Sequence, residues 1–298
     1  MITQIHTFGS SHTEGGGFNF DIAKKLYQPF HPKPGMQSLS WVGQLRELIP
    51  SYVKINNHAA SGGGNERVYR LLFDIISRDD FDKDDTLLLI EPTFLMRKEF
   101  WSNSINDYII LNYTPENPAS KHNFQVVHRH YQYHTDKNKK LKLKDGLYHA
   151  FIKETVNEKE VTKLAQRNLL FLLSFLEQHQ IKYLLVNEID YFSPSWPNQK
   201  QFFTESMKSK RIKYFIEGAH TYDIIRDGTE NHSISHETNG RHDDFHQGLF
   251  VNRVIAQTIY NRLIHDEFIL GNEVTVEHDE SYFEKIKRKI EPVKNPLI

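Results

Sequence analysis

Near the amino terminus, thirteen residues from His6 to Phe18 (HTFGSSHTEGGGF) hold two serines, two histidines and four glycines directly behind an apolar run. Such a segment is too short for a linker and too rich in glycine for a helix, so it reads as a strand end that turns sharply and displays a side chain. Acyl transfer through a serine requires an exposed hydroxyl, an imidazole to take its proton, a carboxylate to orient that imidazole, and donors for the oxyanion. Candidates for each occur elsewhere in the chain. Asp243 and His246 stand three apart on a turn expected to enter a helix, where the carboxylate can fix the tautomer of the ring. Gly62, in the run Ser61-Gly62-Gly63-Gly64-Asn65, offers a backbone N–H unobstructed by a side chain, and Asn65 can add a second donor. Glu91 ends a strand and is either a substrate contact or an ion-pair partner of Arg97.

Other chemistries are less well supported. His128 and His130 put two rings on one side of a strand, and His134 supplies a third nitrogen, the minimum for zinc. No carboxylates accompany them at a recognisable spacing, so they are expected to be surface or insertion histidines, with no metal bound. The chain has no cysteine, which excludes disulfides, thiolate catalysis and cysteine-ligated metal. Its 37 basic and 38 acidic side chains nearly cancel, which argues against a nucleic-acid footprint or a membrane-surface patch. MITQIHTF lacks the charged and apolar regions of a signal peptide, and no apolar run approaches the ~20 residues of a membrane span. A cytoplasmic location is expected.

The elements that must position these groups follow from periodicity. Ile2–Phe8 suits a buried strand ending at Gly9. FDIAKKLY and SLSWVGQLRELI carry helical spacing, the second with Ser40 as N-cap and Trp41, Leu45 and Leu48 on one face. SYVKINNHA is a short strand, and NERVYRLLFDIISRD a helix with Val68, Leu71, Leu72 and Ile75 at i, i+3, i+4 and i+7. DDTLLLIEP is a continuous apolar run closed by Pro92, as expected of a parallel strand covered on both faces. From Arg97 to about Asp145 the pattern breaks down into a polar insertion. A helix over about Lys159–Gln178 then feeds a strand at Tyr183–Asn187, and a further strand is expected at Lys213–Gly218. The closing helix turns Leu249, Val254, Ile255 and Ile259 toward the sheet. Alternation of strand and helix predicts a flavodoxin-like three-layer α/β/α sandwich with a central parallel sheet of about five strands. One domain is expected over 1–270, with a charged tail over 271–298. In such sheets ligands sit beyond the carboxyl ends of the strands, where the loops after the first three strands would gather.

The order of short segments resembles the SGNH hydrolase family, also called GDSL-like lipases and esterases. Gly9-Ser10-Ser11 matches its first block, Asn57-His58-Ala59-Ala60-Ser61-Gly62 its second, and Asp243-Asp244-Phe245-His246 its last. The resemblance implies Ser11 as nucleophile, His246 as base, Asp243 as its orienter, and the N–H groups of Ser11 and Gly62 as oxyanion donors. Two positions depart from the family: Ser10 replaces an aspartate, and Glu91-Pro92-Thr93-Phe94 stands where an asparagine donor belongs. Thr93, Asn65 or another insertion residue would have to substitute, since losing one oxyanion donor costs ~100–1,000-fold in rate. The implied activity is hydrolysis or transfer of a small acyl group, such as acetyl on a carbohydrate, acting on a small-molecule or glycan ester and needing no cofactor. The alternative is a catalytically inactive domain of the same fold that binds glycan or serves a structural role. Oligomeric state is not legible.

Overall fold

A computed structural model describes residues 1–14, 40–60, 63–93, 97–102, 107–112, 158–187, 202–213 and 249–272. Five short segments form one parallel sheet: β1 (Gln4–Phe8), β2 (Lys54–Asn57), β3 (Thr86–Ile90), and two later strands introduced below. Between them lie α1 (Ser11–Glu14), α2 (Trp41–Leu48) and α3 (Asn65–Ile76). An antiparallel hairpin follows β3, made of β4 (Arg97–Ser102) and β5 (Asp107–Asn112). The chain then gives α4 (Glu158–Gln178), β6 (Lys182–Asn187), α5 (Glu205–Ser209), β7 (Arg211–Lys213) and α6 (Leu249–His265).

The strand order is β2-β1-β3-β6-β7 with every pair parallel. This is the flavodoxin-like order, whose direction of winding reverses between the first and third strands. The faces obey it. Ile5, Leu87, Leu89, Leu184 and Val186 pack with Trp41, Val42 and Leu45 of α2 and Ile255, Ile259 and Leu263 of α6. Phe8, Leu88, Ile90, Tyr183 and Leu185 pack on the other face with Val68 and Leu72 of α3 and Leu169, Leu172, Leu173 and Leu176 of α4. Strands buried on both sides cannot alternate apolar with polar residues, which is why TLLLI and KYLLV read as continuous runs.

The amino ends of the strands have their own fastenings. Thr3 and Gln4 donate backbone N–H groups to the Asp85 carbonyl, Thr3 Oγ1 lies 2.9 Å from Asp85 Oδ2, and the Ile2 amide bonds the Phe268 carbonyl at 3.0 Å. Ser40 caps α2 as expected, accepting from the Gly43 amide at 3.3 Å.

Two expectations change. The fifth strand is Arg211–Lys213, so it shares only Lys213 with the predicted Lys213–Gly218; 214–218 lie outside the described residues. The insertion expected to lack regular structure begins with the β4–β5 hairpin. Its register sets Trp101 opposite Tyr108 and Glu99 opposite Ile110, and Glu99 grips Arg70 of α3 through two bonds of 2.7 and 2.8 Å. Lys98 reaches Glu66 at 2.5 Å. The hairpin is thereby fixed to α3 by charge on both sides of its first strand. Leu71 is only partly buried, whereas Val68, Leu72 and Ile75 form the apolar face of α3. The predicted helix FDIAKKLY and the tail over 273–298 lie outside the described residues.

Candidate active site

In parallel sheets of this order ligands bind where the winding reverses, here at the carboxyl ends of β1 and β3, and the loops after the first three strands leave the sheet at that edge. Gly9 and Ser10 follow β1, and the backbone turns at once into the single turn of α1, with the Glu14 amide bonded to the Ser10 carbonyl at 3.0 Å. Ser11 is the first residue of that turn. Glycine is required at position 9 because of what lies over it. A Cβ there would collide with Thr13 Oγ1 and Glu91 Oε2, and would stand 2.8 Å from Thr13 Cβ. The Thr13 hydroxyl donates to the Glu91 carboxylate across that glycine, and both side chains are fully buried. The Glu91 amide extends the β1–β3 pairing with a 2.9 Å bond to the Phe8 carbonyl.

The loop after β2 is fastened to the same place. His58 and Ala60 donate their amides to the carbonyls of Thr7 and Gly9 at 2.9 and 3.4 Å, and the Gly63 amide closes a turn on the Ala60 carbonyl at 2.8 Å. A Cβ on Gly63 would stand 2.8 Å from the Ala60 oxygen and 3.3 Å from the Gly9 oxygen, so the second glycine cluster abuts the first, backbone to backbone. Asn57 joins three segments through one amide. Its Oδ1 accepts from Thr7 Oγ1 and from the Ala59 amide, each at 3.0 Å, and its Nδ2 donates to the Thr13 carbonyl at 3.3 Å.

Asn65, the first residue of α3, clamps the loop after β3. Its Oδ1 accepts the Thr93 amide at 2.7 Å and its Nδ2 donates to the Thr93 carbonyl at 3.0 Å. This uses the backbone of Thr93 in both directions, so an oxyanion donor from Asn65 must be its second amide hydrogen, and one from Thr93 its hydroxyl. Glu91 is held by Thr13, while Arg97 directs Nη1 to the Gly63 carbonyl at 3.3 Å. Asn65, Thr93 and Glu91 are thus all buried at this rim.

The final helix starts from the same corner. The Trp41 amide, at the amino terminus of α2, donates to Oδ1 of the buried Asn252 in the first turn of α6 at 2.7 Å. Arg253 adds a bond of 3.3 Å to Gln44, and α1 packs against α2. Gly62, Asp243 and His246 lie outside the described residues, as do His128, His130 and His134. Among the described residues no group of three His, Asp or Glu is set to hold a metal ion, and no helix is long and apolar enough to cross a membrane.

Sequence reasoning missed Thr13 and Asn57. Asn57 opens the second matched block, which was the available signal. Thr13 lies two residues beyond Ser11 with nothing in its spacing to mark it.

On the face of β1 that carries Phe8, His6 Nδ1 and His58 Nε2 share a hydrogen bond of 2.9 Å, with their rings nearly parallel, and His58 also stacks on Phe8. Burial, then the nearby His6, Arg67 and Arg78, push His58 down to about 4; burial, then Arg78 and Lys54, also lower His6. Both are neutral at pH 7, one ring donating and the other accepting.

No protein-family model and no curated protein matches the chain. Among solved structures, a psychrotrophic esterase, EstA from Pseudoalteromonas sp., inhibited by monoethylphosphonate, is similar over 89% of this chain and 98% of its own, with 14% identity and a TM-score of 0.40. A likeness at that level carries nothing about chemistry.

Proposed function

We propose that the chain is a serine ester hydrolase of the SGNH type. Ser11 attacks an ester carbonyl, His246 takes its proton, Asp243 orients His246, and the N–H groups of Ser11 and Gly62 receive the oxyanion. Water then releases the acyl group. The favoured substrate is a small acyl ester, such as acetyl on a carbohydrate. One observation carries the reading: the Trp41–Asn252 bond ties the helix that begins three residues after His246 to α2, against which the Ser11 turn packs. The helix that follows the Asp243–His246 block therefore starts beside the element on which the Ser11 turn rests.

Wild-type protein is expected to hydrolyse p-nitrophenyl acetate, and Ser11→Ala to lose that activity. Equal background in both proteins would instead support a non-catalytic domain that binds glycan. A specific observation favours this second reading: Thr93 stands where the family's asparagine donor belongs, and its backbone N–H and carbonyl are both bonded to Asn65.

A further inference from the structure

We propose that Thr13 is a positioning residue for the Ser11 hydroxyl, held by Glu91 on one side and Asn57 on the other. The proposal rests on the serine hydrolase reading above. α1 is a single turn of four residues, and so short a helix has no cooperative stability of its own. Its carbonyls lack the partners a longer helix would supply. Two side chains from outside the turn brace it, one of them on a carbonyl. Asn57 Nδ2 donates to the Thr13 carbonyl, while the Thr13 hydroxyl donates to Glu91 across the open face of Gly9. Thr13 is thereby fixed at both its backbone and its side chain, two residues beyond Ser11.

The two anchors come from different strands. Asn57 ends β2 and Glu91 follows β3, on either side of β1. A turn braced from both flanks cannot rotate about the β1 axis without breaking one brace. Asn57 also accepts the Ala59 amide, so the same side chain sets the loop leading to Gly62 relative to the Ser11 turn. Burial of Thr13 and Glu91 means that neither reaches bulk water, and any effect on rate must pass through the backbone of the turn.

The test is the rate at which a p-nitrophenyl phosphonate ester labels Ser11, read by mass spectrometry, beside kcat, KM and melting temperature for p-nitrophenyl acetate. Thr13→Val keeps the shape and removes the hydroxyl. It is expected to lower labelling rate and kcat by about 10- to 100-fold, since displacements of about 1 Å carry penalties of that size. KM should stay within about twofold, and Thr13→Ser should restore most of the rate. Asn57→Asp keeps the acceptors for Thr7 and Ala59 but loses the donor to Thr13, and should show the same split, with a fall in melting temperature no larger than one lost hydrogen bond accounts for. If Thr13→Val does not fold, Asn57→Asp and Thr13→Ser decide the matter: a slowed Asn57→Asp beside a near-normal Thr13→Ser supports the brace. Labelling at the wild-type rate in Thr13→Val or Asn57→Asp overturns the proposal and leaves the hydrolase reading intact. Wild-type protein that takes no label at Ser11 removes both.

Discussion

Acid should destabilise this protein through one pair of rings. His6 and His58 share a single hydrogen bond of 2.9 Å, which needs one ring nitrogen without a proton. Protonating both rings leaves no acceptor and places two like charges in contact. His58 falls from 6.5 to about 4 on folding, driven first by burial. Because the folded value is depressed, the unfolded chain binds more protons between about pH 6.5 and pH 4, and stability falls as pH drops through that window. Above pH 6.5 both states are neutral and the effect vanishes. At pH 5 the shift corresponds to about 2 kcal/mol, approaching about 3 kcal/mol below pH 4, at ~1.36 kcal/mol per unit. Urea unfolding followed by far-ultraviolet circular dichroism at pH 7.5 and pH 5.0 measures it. The control is the double variant His6→Gln/His58→Gln, which cannot titrate at either position. Wild type should lose about 2 kcal/mol more than the variant over that interval. Equal losses in the two proteins would refute the assignment of a neutral, buried pair.

Two further substitutions probe the rim. Asn65→Ala removes both bonds to the Thr93 backbone inside a buried loop and should lower stability by about 2–3 kcal/mol in urea unfolding, a change under about 0.5 kcal/mol counting against the clamp. Asn252→Ala withdraws the acceptor from the Trp41 amide, a loss of about 1–2 kcal/mol that thermal melting should report as a clear drop. An unchanged melting temperature there would undo the argument that α6 is tied to α2.

What could be read without coordinates was whatever depends on local periodicity. TLLLI and KYLLV announced doubly covered strands, and Ser40 announced a helix start, because each signal is complete within a few residues. β7 was misplaced for the opposite reason. Only Ile212 of its three residues is an apolar core side chain, so no period exists to detect, and the apolar run just after it drew the expectation forward. The β4–β5 hairpin went unread because its inward Glu99 is polar: it is buried in partnership with Arg70, 29 residues earlier on another element, which breaks the alternation that marks a strand. Ser11, Asn65, Glu91 and Thr93 were legible as candidates from loop position, and Asn65, Glu91 and Thr93 do meet at one rim. The contacts that join them were not. The bonds of Thr13 with Glu91 and Asn57, and of His6 with His58, link residues far apart in sequence and require the finished sheet to exist.

The fastenings of Ile2, Thr3 and Gln4 to Asp85 and Phe268 sit at the opposite pole of the sheet from the candidate site. Since all five strands run the same way, one pole anchors the molecule while the other carries the rim of the candidate site. Selection can therefore rebuild the upper loops, lengthening or replacing them, while the foundation below keeps its own bonds. A fold divided in this way is free to vary one rim without first having to relearn how to fold.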